Sequence, residues 1–172
     1  MSIDLYHATV ATFLQNLGAL EGILARGFDH CRDNAIDPQE VVETRIHPDM
    51  LPSRFQVVST ISHSLGAVEA VRSGTFTPPK NLELDYAGLQ SAVSEARDSL
   101  TKVTPEEVNG FIGRDTQFLF GGRGIPFRAE DFLLSFSLPN FFFHSSMTYA
   151  ILRARGVPLG KRDFLGQLRI KR

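Results

Sequence analysis

The sequence predicts an all-α fold, a four-helix bundle with a short β-hairpin before the last long helix. Three observations carry that expectation. Apolar residues recur at steps of three and four over four long stretches. Proline and glycine mark the breaks between those stretches. One pair of β-prone runs flanks the glycine cluster Gly121-Gly122-Arg123-Gly124. At 172 residues the chain matches a single domain spanning 1–172, long enough to bury a substantial core.

The first stretch holds Ile3, Tyr6, Val10, Phe13, Leu17, Leu20, Leu24 and Phe28 on one helical face, which predicts helix one over about 3–31, weakening after Gly27. Asp37-Pro38-Gln39-Glu40 then reads as the start of a short helix, with proline at a first helical position and acids in the first turn. A proline-bracketed connection, His47 to Pro52, leads into helix two over about 53–73. Only Arg54, Glu69 and Arg72 carry charge in helix two, so it is expected to be buried on more than one side. Val58, Ile61, Leu65 and Val68 form its apolar stripe, whereas Gln56, Ser59, His63, Gly66, Ala67 and Ala70 form a face of small or polar groups that could meet a helix, a ligand or a second subunit.

Gly74 to Asn81, with Pro78-Pro79, reads as a loop. Helix three follows with Tyr86, Leu89, Val93, Ala96, Leu100 and Val103 at helical spacing and charges opposite. Thr104-Pro105-Glu106-Glu107 caps and starts another helical turn. The hairpin occupies about 116–128. Helix four spans about 129–155 with Pro139 inside it, where the ring removes a hydrogen bond to the Ser135 carbonyl and kinks the helix. Gly156 ends it, and Gly160 to Gly166 form a tail.

Composition narrows the function. Hydrophobic residues are 42% and charged residues 22%, and 18 basic against 19 acidic side chains give a net charge of −1. Without a basic block in the body of the chain, nucleic acid is not an expected partner; the tail Arg169 to Arg172 is too short to change that. Cys31 stands alone, so no intrachain disulfide forms, and a lone cysteine after a helix is expected to be inert. No leader and no long apolar window are evident, so the expected setting is cytoplasmic, with no membrane.

Helix four is apolar with a polar stripe: Ser137, Asn140, His144 and Thr148 share one sector, while Phe142, Phe143, Tyr149, Ala150 and Leu152 lie away from it. Such a stripe is either a site that binds a small polar ligand or a network satisfying its own polar groups. Of the five histidines, His63 and His144 sit mid-helix on small or polar faces, and bundle cores do hold metals between facing helices. An open metal site needs a third ligand, for which His47, Asp49 or His7 are candidates. The competing reading gives His144 a bond to Asn140, to a carbonyl freed by Pro139 or to a buried water. His30 and His47 are expected at the surface, Asp49 could cap helix two, and Phe141 to Phe143 read as core. The glycine cluster lacks the lysine and following helix of a phosphate loop, and no nucleophile-elbow serine is present.

Several motifs run through the chain: Ser2-Ile3-Asp4-Leu5-Tyr6, Arg45-Ile46-His47-Pro48-Asp49-Met50, Leu138-Pro139-Asn140-Phe141-Phe142-Phe143-His144, Tyr149 to Arg153, Gly156 to Lys161, and Asp163-Phe164-Leu165-Gly166. Together they resemble a domain-of-unknown-function family within the DinB/YfiT-like superfamily. The resemblance implies a DinB-like four-helix bundle, often a homodimer. It also implies a divalent metal such as zinc or nickel, held by one histidine on helix two and two on a later helix at i and i+4, which in some members activates a low-molecular-weight thiol. His63 matches the first ligand and His144 the second, and the third falls on Thr148. Two functions follow. One is a non-catalytic or small-ligand-binding dimer with a degenerate metal site, which the Thr148 departure favours. The other is a metal-dependent enzyme of transferase, isomerase or hydrolase type, with His63, His144 and Asp49 or His47 as ligands.

Overall fold

The structure is a computed structural model, and it describes residues 3–79 and 82–171. Ser2, the end of the expected loop at Lys80 and Asn81, and Arg172 lie outside the described residues. The chain is mostly helical with one three-stranded sheet.

The first helical stretch is two helices. α1 (Leu5–Ala8) starts where the Asp4 carboxylate accepts from the His7 backbone N–H, and α2 runs over Val10–Asp33. They part at Thr9, whose backbone leaves the helical region (φ −114°, ψ −80°) and whose buried hydroxyl donates to the Leu5 carbonyl at 2.6 Å. A threonine hydroxyl competing for a main-chain carbonyl in this way disfavours a continuous helix. Ile3 precedes the Asp4 cap, so it lies outside α1 and is exposed, and Phe28, at the far end of the expected face, is also exposed. Between them Val10, Phe13, Leu17, Leu20, Ile23 and Leu24 are buried as their spacing requires.

Gly27 does not weaken α2. A Cβ at this position would lie 2.2 Å from the Tyr86 hydroxyl oxygen and 2.3 Å from Leu152 Cδ2. Only glycine lets these two side chains close over the helix. The Tyr86 hydroxyl then donates to the Leu24 carbonyl at 2.8 Å, and burial pushes its pKa up.

α3 (Pro38–Glu43) forms as expected, capped by Asp37 through the Gln39 N–H at 2.9 Å. The second long stretch is α4 (Ser53–Ile61), a π-helical segment (Ser62–Gly66) and α5 (Ala67–Ser73), ended by Gly74 at φ +80°. Its first residue follows Pro52, and Asp49 does not cap it. It is buried on both faces: Gln56, Ser59, His63, Ala67 and Ala70 on the small and polar side, Val58 and Val68 on the apolar one, with Gly66, Ile61 and Leu65 only partly covered.

Directly after Gly74 comes β1 (Thr75–Phe76), a strand where the sequence predicts only loop. α6 (Tyr86–Leu100) is the conventional amphipathic helix, capped by Asp85, with Val103 buried just beyond its end. α7 (Pro105–Asn109) is capped by Thr104. β2 (Asp115–Phe120) and β3 (Arg123–Arg128) pair antiparallel, Phe120 facing Arg123 across Gly121 and Gly122, both at positive φ. β1 adds in parallel to β2 with Phe76 opposite Phe118, giving the hairpin a third strand and an anchor to the helices.

The last long stretch is a single helical turn α8 (Ala129–Asp131), a second π-helical segment (Phe132–Ser137) and α9 (Leu138–Ala154). Pro139 therefore stands in the first turn of an α-helical run, where its missing N–H costs least. The Asn140 side chain donates to the Phe136 carbonyl at 2.7 Å. A π segment, in place of regular α-turns, leads into Pro139.

Residues 161–165 form a helix rather than a plain tail. α10 (Lys161–Leu165) starts where the Gly160 N–H donates to Asp163 at 2.7 Å. It lies along α2, held by the Arg26–Asp163 ion pair and by Gln15 Nε2 donating to the Leu165 carbonyl at 3.0 Å. α2 packs on α6, α9 and α10, and α4 packs on α9 and α6. One continuous apolar core joins them, crossed by an edge contact of Phe13 with Phe141 at 4.8 Å between centroids. No helix among the described residues is long and apolar enough to cross a membrane.

Candidate functional site

The α4–α9 contact brings His63 and His144 together. Their rings lie parallel within 9° with centroids 5.9 Å apart. Both π segments border this pair: His63 belongs to the first, and Phe136 and Ser137 belong to the second. π turns widen the helix locally and are frequent at functional sites.

Aromatic rings enclose the pair. Phe76 and Phe136 stand 5.1 and 5.5 Å from the His63 ring, and Phe143 and Phe55 stand 5.1 and 6.0 Å from the His144 ring. Behind them Phe118, Phe127 and Phe132 pack on Phe136. In these surroundings a charged imidazole is disfavoured. Burial pushes the His144 pKa down to about 4. Burial, and then the charge His144 would carry, push His63 down to about 4 as well. Both rings are neutral at pH 7.

Hydrogen bonding fixes the tautomer of one ring. The Gln56 amide nitrogen donates to the Leu51 carbonyl at 3.0 Å, which turns its oxygen toward His144 Nδ1 at 2.8 Å. An amide oxygen can only accept, so Nδ1 carries the hydrogen and Nε2 holds a free lone pair. His63 Nδ1 is buried with no partner, as are the hydroxyls of Ser59, Ser137 and Thr116. Buried polar groups are rarely left this way. Ser59 stands one turn before His63, and Ser137 directly follows Phe136, whose ring packs on His63.

The polar stripe of helix four divides in two. Asn140 is spent on the Phe136 carbonyl, and the Thr148 hydroxyl donates to the His144 carbonyl at 3.1 Å. His144 bonds Gln56, not Asn140. Ser137 and His63 keep unpaired atoms. Gln56 is the residue that sequence reasoning left out of the site; its signal was its place on the same helical face as Ser59 and His63.

The remaining candidate ligands lie elsewhere in pairings of their own. His47 and Asp49 pair with each other on an exposed loop, where Arg45 donates to the Met50 carbonyl. His7 is exposed and paired with Asp4 at 2.7 Å. His30 bonds Asn34. Among the described residues no three His, Cys, Asp or Glu side chains converge as a metal set. The residues present therefore do not fit a three-ligand divalent site: Thr148 stands at the i+4 position with its hydroxyl turned to the backbone. Of the aromatic run, Phe141 is core, whereas Phe142 and Phe143 are exposed. Cys31 is buried, and burial raises its pKa, as suits an inert thiol.

Comparison with known proteins agrees with this architecture. No curated protein sequence matches the chain. Among solved structures, it superposes on the crystal structure of a DinB family member protein from Shewanella denitrificans with a TM-score of 0.79, at 22% identity, covering 98% of this chain and 95% of that one. A family model described as "Domain of unknown function (DUF1993)" matches residues 5–165. With that model spanning most of its length, the chain belongs to the DUF1993 family.

Proposed function

We propose that this protein is a dimeric, DinB-like four-helix bundle whose ancestral metal position has become a small-ligand site without divalent-metal catalysis. One observation carries the reading: the neutral His63–His144 pair is flanked by unpaired polar atoms on His63, Ser59 and Ser137, while Thr148, which stands where the superfamily's third ligand would fall, is occupied by its own backbone. The lone pairs and hydroxyls offered there can hold a small ligand through two imidazoles and little else. The dimer is supported by the second π segment and α9, which carry no charged residue from Phe132 to Leu152 and leave Leu134, Phe142 and Phe143 exposed.

The support that Gln56 gives to His144 is also what metal-bound histidines receive from their surroundings, so the metal-enzyme reading of transferase, isomerase or hydrolase type sets the test. Untagged protein is dialysed against zinc, nickel and manganese and its metal content measured. The expected result is far less than one equivalent of any of them, with the dimer mass in sedimentation. One equivalent of zinc or nickel, lost in both His63→Ala and His144→Ala, overturns the proposal in favour of the enzyme.

A further inference from the structure

We propose that the aromatic enclosure of His63 and His144 takes an uncharged aromatic alcohol of the phenol class, its hydroxyl bonded to the buried Nδ1 of His63 and its ring laid against the surrounding phenylalanines. This rests on the reading that the site serves a small ligand without a divalent metal, and adds the chemical class of that ligand.

The first support is unfilled hydrogen bonding. His63 Nδ1 and the hydroxyls of Ser59 and Ser137 have no partner, on side chains that are 6%, 1% and 0% exposed. Ser59 stands one turn before His63, and Ser137 follows Phe136, whose ring lies 5.5 Å from the His63 ring. A buried polar atom left unpaired carries its full desolvation cost, so three of them beside one ring mark a place where a polar group is missing. A hydroxyl suits that place because it donates to an imidazole lone pair and accepts from a serine, which neither a carbonyl nor an ether can do.

The second is charge. Both imidazoles are neutral at pH 7, and the rings around them are Phe55, Phe76, Phe136 and Phe143. Such a lining disfavours an ion of either sign. The conditions that turn away a carboxylate or an ammonium group leave a neutral hydroxyl acceptable.

The third is shape. Phe136 meets His63 edge-on at 67°, and Phe143 and Phe55 meet His144 edge-on at 84° and 75°. Edge-to-face and offset contacts are what aromatic rings favour, so an aromatic body gains here what an alkyl chain does not. His144 is half-buried and Phe143 is 56% exposed. The enclosure therefore meets solvent on this side, and the free surface of Phe143 continues its lining outward.

The test is calorimetric titration of the untagged full chain at pH 7 with phenol. Toluene, benzoate and benzylamine are titrated in parallel; they keep the ring and replace the hydroxyl with a methyl group, an anion and a cation. The expected result is one equivalent of phenol, bound about tenfold more tightly than toluene, with no uptake of either ion. In His63→Leu the preference for phenol over toluene should vanish while toluene still binds, which separates a lost hydrogen bond from a lost fold. Long-range 1H–15N spectra of the wild type need no variant: phenol is expected to shift a His63 ring nitrogen, and toluene to move it far less.

No uptake of phenol, phenol bound no more tightly than toluene, benzoate or benzylamine bound as well as phenol, or an unmoved His63 nitrogen overturns the inference. Metal-free protein that takes up no phenol removes only this inference. Stoichiometric zinc removes the reading on which it rests.

Discussion

The contact of α2 with α6 and the contact of α4 with α9 are built on opposite plans. α2 and α6 are regular amphipathic helices. Their apolar faces are buried, their charges point outward, and the Glu21–Arg97 ion pair spans the seam at 3.0 Å. α4 and α9 each adjoin a π segment, carry almost no charge, and bury serine, threonine, glutamine and histidine between them. The first contact is specified by which residues are apolar. The second is specified by which polar atoms find partners, and it is the one that leaves some without. A fold can keep a regular half for stability and concentrate its irregular backbone and unpaired atoms in the other half, where chemistry or binding can use them.

Acid should separate the two contacts most. His63 and His144 titrate near 4 in the folded protein and near 6.5 when unfolded. The unfolded chain therefore binds more protons between these values, and stability falls as pH drops from about 6.5 to about 4. Each ring accounts for at most about 3 kcal/mol of that loss, and His144, which is partly exposed, for less. Urea unfolding at several pH values measures it. The slope should shrink in a folded His63→Phe, His144→Leu double variant to what carboxylates such as Glu107 and Asp163 carry, and a slope unchanged there would place the acid sensitivity elsewhere.

The regular contact should break through volume instead. Gly27→Ala drives a methyl group into the Tyr86 hydroxyl and Leu152, and is expected to cost about 2–3 kcal/mol at any pH above 5. Tyr86→Phe in the same background removes the clashing oxygen and should recover part of the loss. Full additivity of the two changes would show that the hydroxyl is not what glycine accommodates.

The smallest effect sharpens the reading of the polar stripe. Thr148→Val keeps the shape and removes only a hydroxyl bonded to its own helix, so thermal unfolding should shift by no more than about 1 kcal/mol. A much larger loss would mean that Thr148 serves something besides the His144 carbonyl.

Periodicity made the regular half legible. The buried spacing from Val10 to Leu24 and from Leu89 to Leu100, the caps at Asp37 and Thr104, and the glycine turn of the hairpin are all local signals. What the sequence hides is set by long-range partners. Gly27 reads as a helix end until Tyr86 and Leu152 are seen lying on it. β1 is two residues long and exists because β2 is beside it. The π segments shift the register that a constant angle per residue assumes, yet His63 and His144 could still be paired from their faces. Their spacing could not reveal that Gln56 fixes one ring, or that His47 and Asp49 pair with each other.

The placement of α10 bears on how the molecule is made. α2 leaves the ribosome well before its partners in this chain: Phe13 waits for Phe141, and Gln15 bonds a carbonyl 150 residues away. Part of its surface stays uncovered until α9 and α10 have been made. Such distant pairings slow the folding of a helical chain, whose usual advantage is local contact. The nascent chain must therefore keep α2 from other hydrophobic surfaces until α9 arrives.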